Sequence, residues 1–173
     1  MGRTLLLSGR PGVGKTSLIK AVADALGERA GGFYTEEIRA EGRREGFRLV
    51  TLDGHKAVMA HTDLSGQGRP RVSRYGVDLG ALEQVGVAAL GRAAETGRIL
   101  VIDEIGKMEL LSQSFRQAVL QAIEGPNIVL ATVMQRANPW VDSLKQLWEV
   151  EVWEVSRQNR NQAAARVLAW IDR

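Results

Sequence analysis

Apolar residues along this chain change spacing several times, and each change marks an element. Thr4 to Ser8 reads Thr-Leu-Leu-Leu-Ser, a short apolar run stopped by Gly9 and Pro11, which predicts a buried strand and then a turn. From Thr16 to Leu26 the positions Leu18, Ile19, Val22, Ala23 and Leu26 recur at helical spacing, and Gly27 ends the helix. Short strands are expected at Phe33 to Ile38, Phe47 to Leu52 and Ala57 to Ala60, joined at Gly42/Gly46 and at Asp53-Gly54. The span 62–76 is rich in Gly, Ser and Arg and has no period, so it reads as a long mobile loop.

Beyond it the pattern alternates. Leu79 to Ala94 predicts a helix, Ile99 to Asp103 a fully buried strand, Phe115 to Ile123 a helix and Ile128 to Val133 a strand. A short helix follows Pro139 from Trp140 to Leu147, then a strand at Val150 to Val155 and a closing helix at Gln162 to Ile171. Strands apolar throughout and alternating with helices imply an α/β fold, a mainly parallel sheet covered on both faces. The hairpins at 33–61 are an insertion into that sheet or an antiparallel extension of it. At 173 residues, 1–173 is expected to be a single domain.

Composition narrows the field. Hydrophobic residues make up 45% and charged residues 25%, which excludes a disordered chain, and no apolar run reaches the ~18 residues of a membrane span. No signal peptide, anchor or membrane partner is expected. Cysteine is absent, so thiolate metal sites are excluded and the cytoplasm is the expected location. His55 and His61 are too few for an imidazole-based metal site. The net charge of +3 gives only weak support to nucleic-acid binding. The arginines of the hairpin (Arg39, Arg43, Arg44, Arg48) alternate with Glu36, Glu37 and Glu41, and the cancellation weakens it further. Trp148, Trp153 and Trp170 are read as core or sheet-edge residues, and Trp140 is the best of the four tryptophans for a ligand contact.

The chemistry concentrates in two places. Gly9-Arg10-Pro11-Gly12-Val13-Gly14-Lys15-Thr16 fits the G-x-x-x-x-G-K-[ST] phosphate loop, between a strand and a helix as that motif requires. Glycines let the backbone curl so that successive N–H groups face phosphate oxygens, and the helix start adds the positive end of its dipole. Lys15 would reach the β- and γ-phosphates, and Thr16 would offer its hydroxyl to Mg²⁺. The second place is Ile102-Asp103-Glu104, an apolar strand ending in two acids at its C-terminal tip, outside which ligands bind in parallel sheets. Asp103 is the expected second metal partner, and Glu104 the group that orients or deprotonates the attacking water. Lys107 is a candidate for stabilising charge on the γ-phosphate, and Thr132, near the tip of the next strand, for sensing it. An arginine of the span 62–76 (Arg69, Arg71 or Arg74) is a candidate to fold over the triphosphate.

Together these blocks, with Gly32-Phe33-Tyr34-Thr35-Glu36-Glu37-Ile38-Arg39, Thr51-Leu52-Asp53-Gly54, Tyr75-Gly76-Val77-Asp78 and Val101 to Leu110, resemble the small P-loop nucleoside-triphosphatases of thermophiles, the family of the human cancer-related nucleoside-triphosphatase. The resemblance implies a RecA-like fold and Mg²⁺-dependent hydrolysis of NTP to NDP and phosphate, with ATP and GTP both accepted. It places nucleotide binding on Gly9, Arg10, Pro11, Gly12, Val13, Gly14, Lys15 and Thr16 and on Ile102, Asp103, Glu104, Ile105, Gly106, Lys107, Met108 and Glu109. It adds Asn159 and Arg160 as base or ribose contacts. Two other readings share the same loop: a small kinase passing the γ-phosphate to a nucleotide or metabolite, and a nucleotide-dependent switch or nucleic-acid-binding module.

Overall fold

The computed structural model describes residues 2–66 and 68–173. Among the described residues one nine-stranded sheet forms, in the order β5 (Arg71–Val72), β6 (Tyr75–Val77), β4 (Lys56–His61), β3 (Arg43–Thr51), β2 (Ala30–Ala40), β7 (Ile99–Ile105), β8 (Val129–Val133), β1 (Thr4–Ser8), β9 (Val150–Glu154). Its parallel half is β2, β7, β8, β1 and β9. The rest is antiparallel: β3, β4, β5 and β6.

The inner strands are buried on both sides, and alternate residues feed two cores. Leu5, Leu7 and Val101 pack under α1 (Lys15–Leu26) and α6 (Arg160–Ile171). Leu6, Leu100 and Ile102 face the opposite core, built with a helical stretch at 79–95, α4 (Gln113–Glu124) and α5 (Pro139–Leu144). The stretch at 79–95 comprises α2 (Leu79–Ala81), a π-helical segment Leu82–Val87 and α3 (Ala88–Glu95). Helix starts carry the side chains that satisfy free amides: Asp78 Oδ1 accepts from Ala81, Ser112 Oγ from Phe115, and Asn138 Oδ1 from Trp140 and Val141.

Several boundaries differ from the sequence expectation. The hairpin is an extension of the sheet, because β2 is continuous: Ala30–Phe33 pairs in parallel with β7, and Phe33–Ala40 pairs antiparallel with β3. The β2–β3 turn is Glu41-Gly42, both at positive φ, the geometry of a tight hairpin. Gly46 lies inside β3, where a Cβ would come within 2.3 Å of the Ala60 carbonyl oxygen, so the residue serves close strand approach rather than a turn. The span 62–76, expected as a loop, carries a 3-10 turn at Thr62–Leu64, β5 and the start of β6. Its Gln67 lies outside the described residues. Tyr75 and Val77 pack with Ala60 in a third small core beneath this extension.

The tryptophans divide. Trp170 is buried, and its Nε1 donates to Glu151 at 2.8 Å. Trp153 is half-buried on the edge strand, with the Arg166 guanidinium 5.0 Å from its ring. Trp140 packs against the core and lines neither of the two cavities beside the phosphate loop. Trp148, expected to pack at the sheet edge, lies in the connection before β9 and is 91% exposed. Changing it to Ser is expected to shift stability by no more than about 0.5 kcal/mol; a larger loss in urea unfolding would mean that this side chain is covered in solution. Among the described residues, no helix is long and apolar enough to cross a membrane.

Candidate active site

The turn after β1 is shaped by its glycines. Gly12 and Gly14 sit at φ +77° and +110°, the left-handed region open to glycine, and curl the backbone toward α1. Gly14 caps α1 without a side-chain hydrogen bond, and no acidic residue occupies the first turn. The amides and positive dipole end of this 12-residue helix therefore remain available to an anion. Arg160 braces the loop from outside, its Nη1 donating to the Val13 carbonyl at 3.3 Å.

Lys15 is only 8% exposed and lies along the floor. Its Nζ donates to the Gly9 carbonyl at 2.7 Å and stands 3.6 Å from Glu104 Oε2. An ammonium has three donors; with one on Gly9, the others are shared between Glu104 and incoming phosphate oxygens. Next to it, the Thr16 hydroxyl donates to Asp103 Oδ2 at 2.9 Å. Asp103 is 1% exposed and is held from three directions. Thr132 Oγ1 donates to Oδ1 at 2.6 Å, and the Thr35 amide lies 3.4 Å from Oδ2. β8 lies between β1 and β7, and that order brings Thr132 beside the carboxylate. Thr132, a candidate phosphate sensor on the sequence alone, is fully buried with its hydroxyl engaged by Asp103, a position from which it orients this carboxylate.

The register of β7 against β8 shifts between Ile102 and Ile105, where Asp103 and Glu104 sit. In a regular strand adjacent side chains point to opposite faces; at this irregularity both acids line one cavity. Burial pushes the Asp103 carboxyl up, against the hydrogen bonds from Thr132, Thr16 and Thr35 and the charge of Lys15. Glu104 is also raised by burial, with Lys15 opposing and neighbouring Asp103 reinforcing. A carboxylate raised this way is a stronger base than one in water.

Glu109 follows on a 3-10 turn, Glu109–Leu111, and lies in the cavity wall with its carboxyl buried. Burial pushes it up to about 8, opposed by the amides of Glu109 and Gly106 and reinforced by Glu104 and Asp103. Unfolded, the group titrates near 4.3. Between these values the native chain keeps a proton that the unfolded chain has lost, so this group's contribution to stability falls as pH rises from about 4.5 to 8. Glu109→Gln is expected to flatten that decline, read as urea midpoints at pH 5 and pH 8.5. An unchanged slope would assign the decline to other groups.

Lys15, Thr16, Thr35, Asp103, Glu104 and Glu109 line a cavity of about 1060 Å³, together with Lys107 and Met108. A smaller one, about 490 Å³, lies on the other side of the loop, between Arg10 to Val13 and 154–158. Asn159 supports the latter wall without lining it: Oδ1 accepts from the Ser156 amide at 2.9 Å, and Nδ2 donates to the Glu154 carbonyl at 2.8 Å. Sequence reasoning missed Thr35, which acts through a backbone amide, and the cavity residues Glu36, Glu37, Arg44 and Phe47. The arginines of 62–76 are partly committed elsewhere: Arg74 donates to the Arg44 carbonyl and to the Tyr75 hydroxyl, and Arg71 to the Ser73 carbonyl.

The Thr16 hydroxyl and buried Asp103 carboxylate are hard oxygen donors, 2.9 Å apart. Among the described residues there is no cluster of three or more His, Cys, Asp or Glu that could hold a metal. Two oxygen donors beside a phosphate loop fit Mg²⁺, which keeps several waters and completes its shell with phosphate oxygens.

The sequence profile of the NTPase family matches residues 4–168. The chain belongs to this family. It is 44% identical over 165 residues to "Nucleoside-triphosphatase THEP1" of Thermotoga sp. (strain RQ2), covering 95% of this chain and 93% of that protein. It is 42% identical over 185 residues to the human "Cancer-related nucleoside-triphosphatase", covering 99% and 97%. The crystal structure of THEP1 from Aquifex aeolicus superposes with a TM-score of 0.89 at 35% identity, over 98% of this chain and 99% of that one. Phosphate loop, mixed sheet and flanking helices thus form the P-loop NTPase fold, of the RecA-like type expected for this family.

Proposed function

We propose that this nucleoside-triphosphatase works with Mg²⁺ and hydrolyses ATP, GTP and other NTPs with loose base selectivity, releasing NDP and phosphate. The observation that carries the reading is the convergence of Lys15, Thr16, Asp103 and Glu104 on one cavity beside the phosphate loop. Thr16 and Asp103 would hold the cation, which supplies neutralisation of charge on the β- and γ-phosphates. The loop amides and the remaining donors of Lys15 bind the phosphates. Glu104 orients the attacking water and accepts its proton, and Lys107 faces the same space from the turn after β7. Thr132 and Thr35 keep Asp103 in position.

The base fits the smaller cavity, with Arg160 bracing the adjacent loop. Arg10, Arg157 and Gln158 on its rim are long, exposed side chains that can adapt to different bases, which supports loose selectivity. Nucleic acid is not a favoured partner, since Arg39 and Arg44 pair with Glu37, and Arg48 with Glu36. A chain without cysteine also needs no oxidising compartment, in keeping with work in the cytoplasm.

The test is steady-state phosphate release from ATP, GTP, CTP and UTP, with Mg²⁺ and with EDTA. Release from all four that stops with EDTA is expected; release that persists without divalent cation would reject the Mg²⁺ assignment. Thr132→Val is expected to raise the Mg²⁺ concentration for half-maximal rate about 10-fold, the usual cost of losing a group that orients a metal ligand. An unchanged Mg²⁺ titration would remove Thr132 from the metal site.

A further inference from the structure

The larger cavity exceeds what hydrolysis requires. With the base in the smaller cavity, a γ-phosphate and one water leave much of about 1060 Å³ unused, and a water needs only ~30 Å³. Part of the cavity wall is apolar. Phe47 of β3, Met59 of β4, Val72 of β5, Met108 of the turn after β7 and Met134 after β8 line it. None of these five has work in the hydrolytic step. Methionine side chains adapt to irregular shapes and make favourable sulfur contacts with ring edges. The acidic groups at this end are compensated: Glu36 lies 3.6 Å from both Lys20 and Arg48, and Glu37 lies 2.7 and 3.1 Å from Arg39 and Arg44, while Gln135 and Arg136 stand exposed beside Met134. Apolar side chains set among paired polar groups are built like a site for a small organic molecule.

We propose that this apolar wall of the cavity forms an acceptor site for a neutral alcohol bearing an aromatic ring, to which the enzyme passes the γ-phosphoryl group in competition with water. The inference rests on the nucleotide placement given above. The acceptor oxygen attacks the γ-phosphorus and forms a new O–P bond as the β,γ-bridging O–P bond breaks. The electron pair leaves with the NDP, and the acceptor proton passes to the Glu104 carboxylate and on to solvent. The products are NDP and a phosphate monoester.

The test incubates the full chain with ATP and Mg²⁺ alone, with benzyl alcohol, 2-phenylethanol or tryptophol, or with ethanol at equal concentration. ³¹P NMR measures inorganic phosphate against phosphate monoester. The ring alcohols are expected to give monoester in a saturable share, roughly tenfold or more above ethanol, the discrimination an apolar pocket typically supplies. Val72→Trp, which fills the wall, and Val72→Gln, which makes it polar, are each expected to lower monoester formation about tenfold while phosphate release in the alcohol-free tube stays within about twofold. Inorganic phosphate alone with all three ring alcohols overturns the proposal. So does monoester formed equally from ethanol, or monoester unaffected by both Val72 variants. Failure of the underlying hydrolytic reading looks different: no inorganic phosphate appears in the alcohol-free tube.

Discussion

Glu104→Gln is expected to retain NTP binding and to lower hydrolysis by about 10²-fold or more, the usual contribution of a positioned acid–base group. Gln keeps the size and one acceptor oxygen but cannot take a proton from water. The pair with Lys15, now 3.6 Å long, loses its charge, which frees the ammonium for phosphate and preserves affinity. The pH profile gives a second readout. Glu104 is raised by burial, so the wild-type rate rises with pH through a limb above the ordinary glutamate value as the carboxylate forms. That limb is expected to vanish in Glu104→Gln. Wild-type turnover in the variant would reassign the water-activating role.

Lys15→Ala is expected to abolish tight binding and turnover together, with affinity for NTP falling about 10²- to 10³-fold, the scale of losing a charge-assisted contact to an anion in a buried site. The effect has two parts. The ammonium that meets the phosphates is gone, and Glu104 loses the positive charge that opposes its upward shift. Its carboxyl would then be pushed up further. Isothermal titration with a non-hydrolysable triphosphate separates the parts: binding fails at every pH, whereas the residual rate recovers partly as pH rises. Undiminished affinity would remove Lys15 from the phosphate site.

The parallel half of the fold is legible in the sequence because its strands are buried on both sides. Runs such as Thr4–Ser8 and Ile99–Ile105 leave few other structures for their apolar residues. The phosphate loop is equally readable, since its glycines answer a backbone requirement. The antiparallel extension is harder. β5 spans Arg71–Val72 and β6 Tyr75–Val77, too short for any period to show, and their pairing depends on β4 being in place. The role of Thr132 needed the strand order: a hydroxyl at a strand tip could face a phosphate or a neighbouring strand, and the position of β8 beside β7 selects Asp103. Thr35 contributes an amide, which no side-chain pattern announces. The apolar cavity wall is assembled from five separate segments, each unremarkable on its own.

The most direct measurement is a crystal structure with Mg²⁺ and β,γ-imido-ATP. A triphosphate wrapped by residues 9–16, its γ-phosphorus facing Glu104, with the cation on Thr16 and Asp103 and the base between Arg10 and Gln158, is the arrangement predicted. An analogue bound away from this loop, or one whose γ-phosphate turns away from both acids, would contradict it.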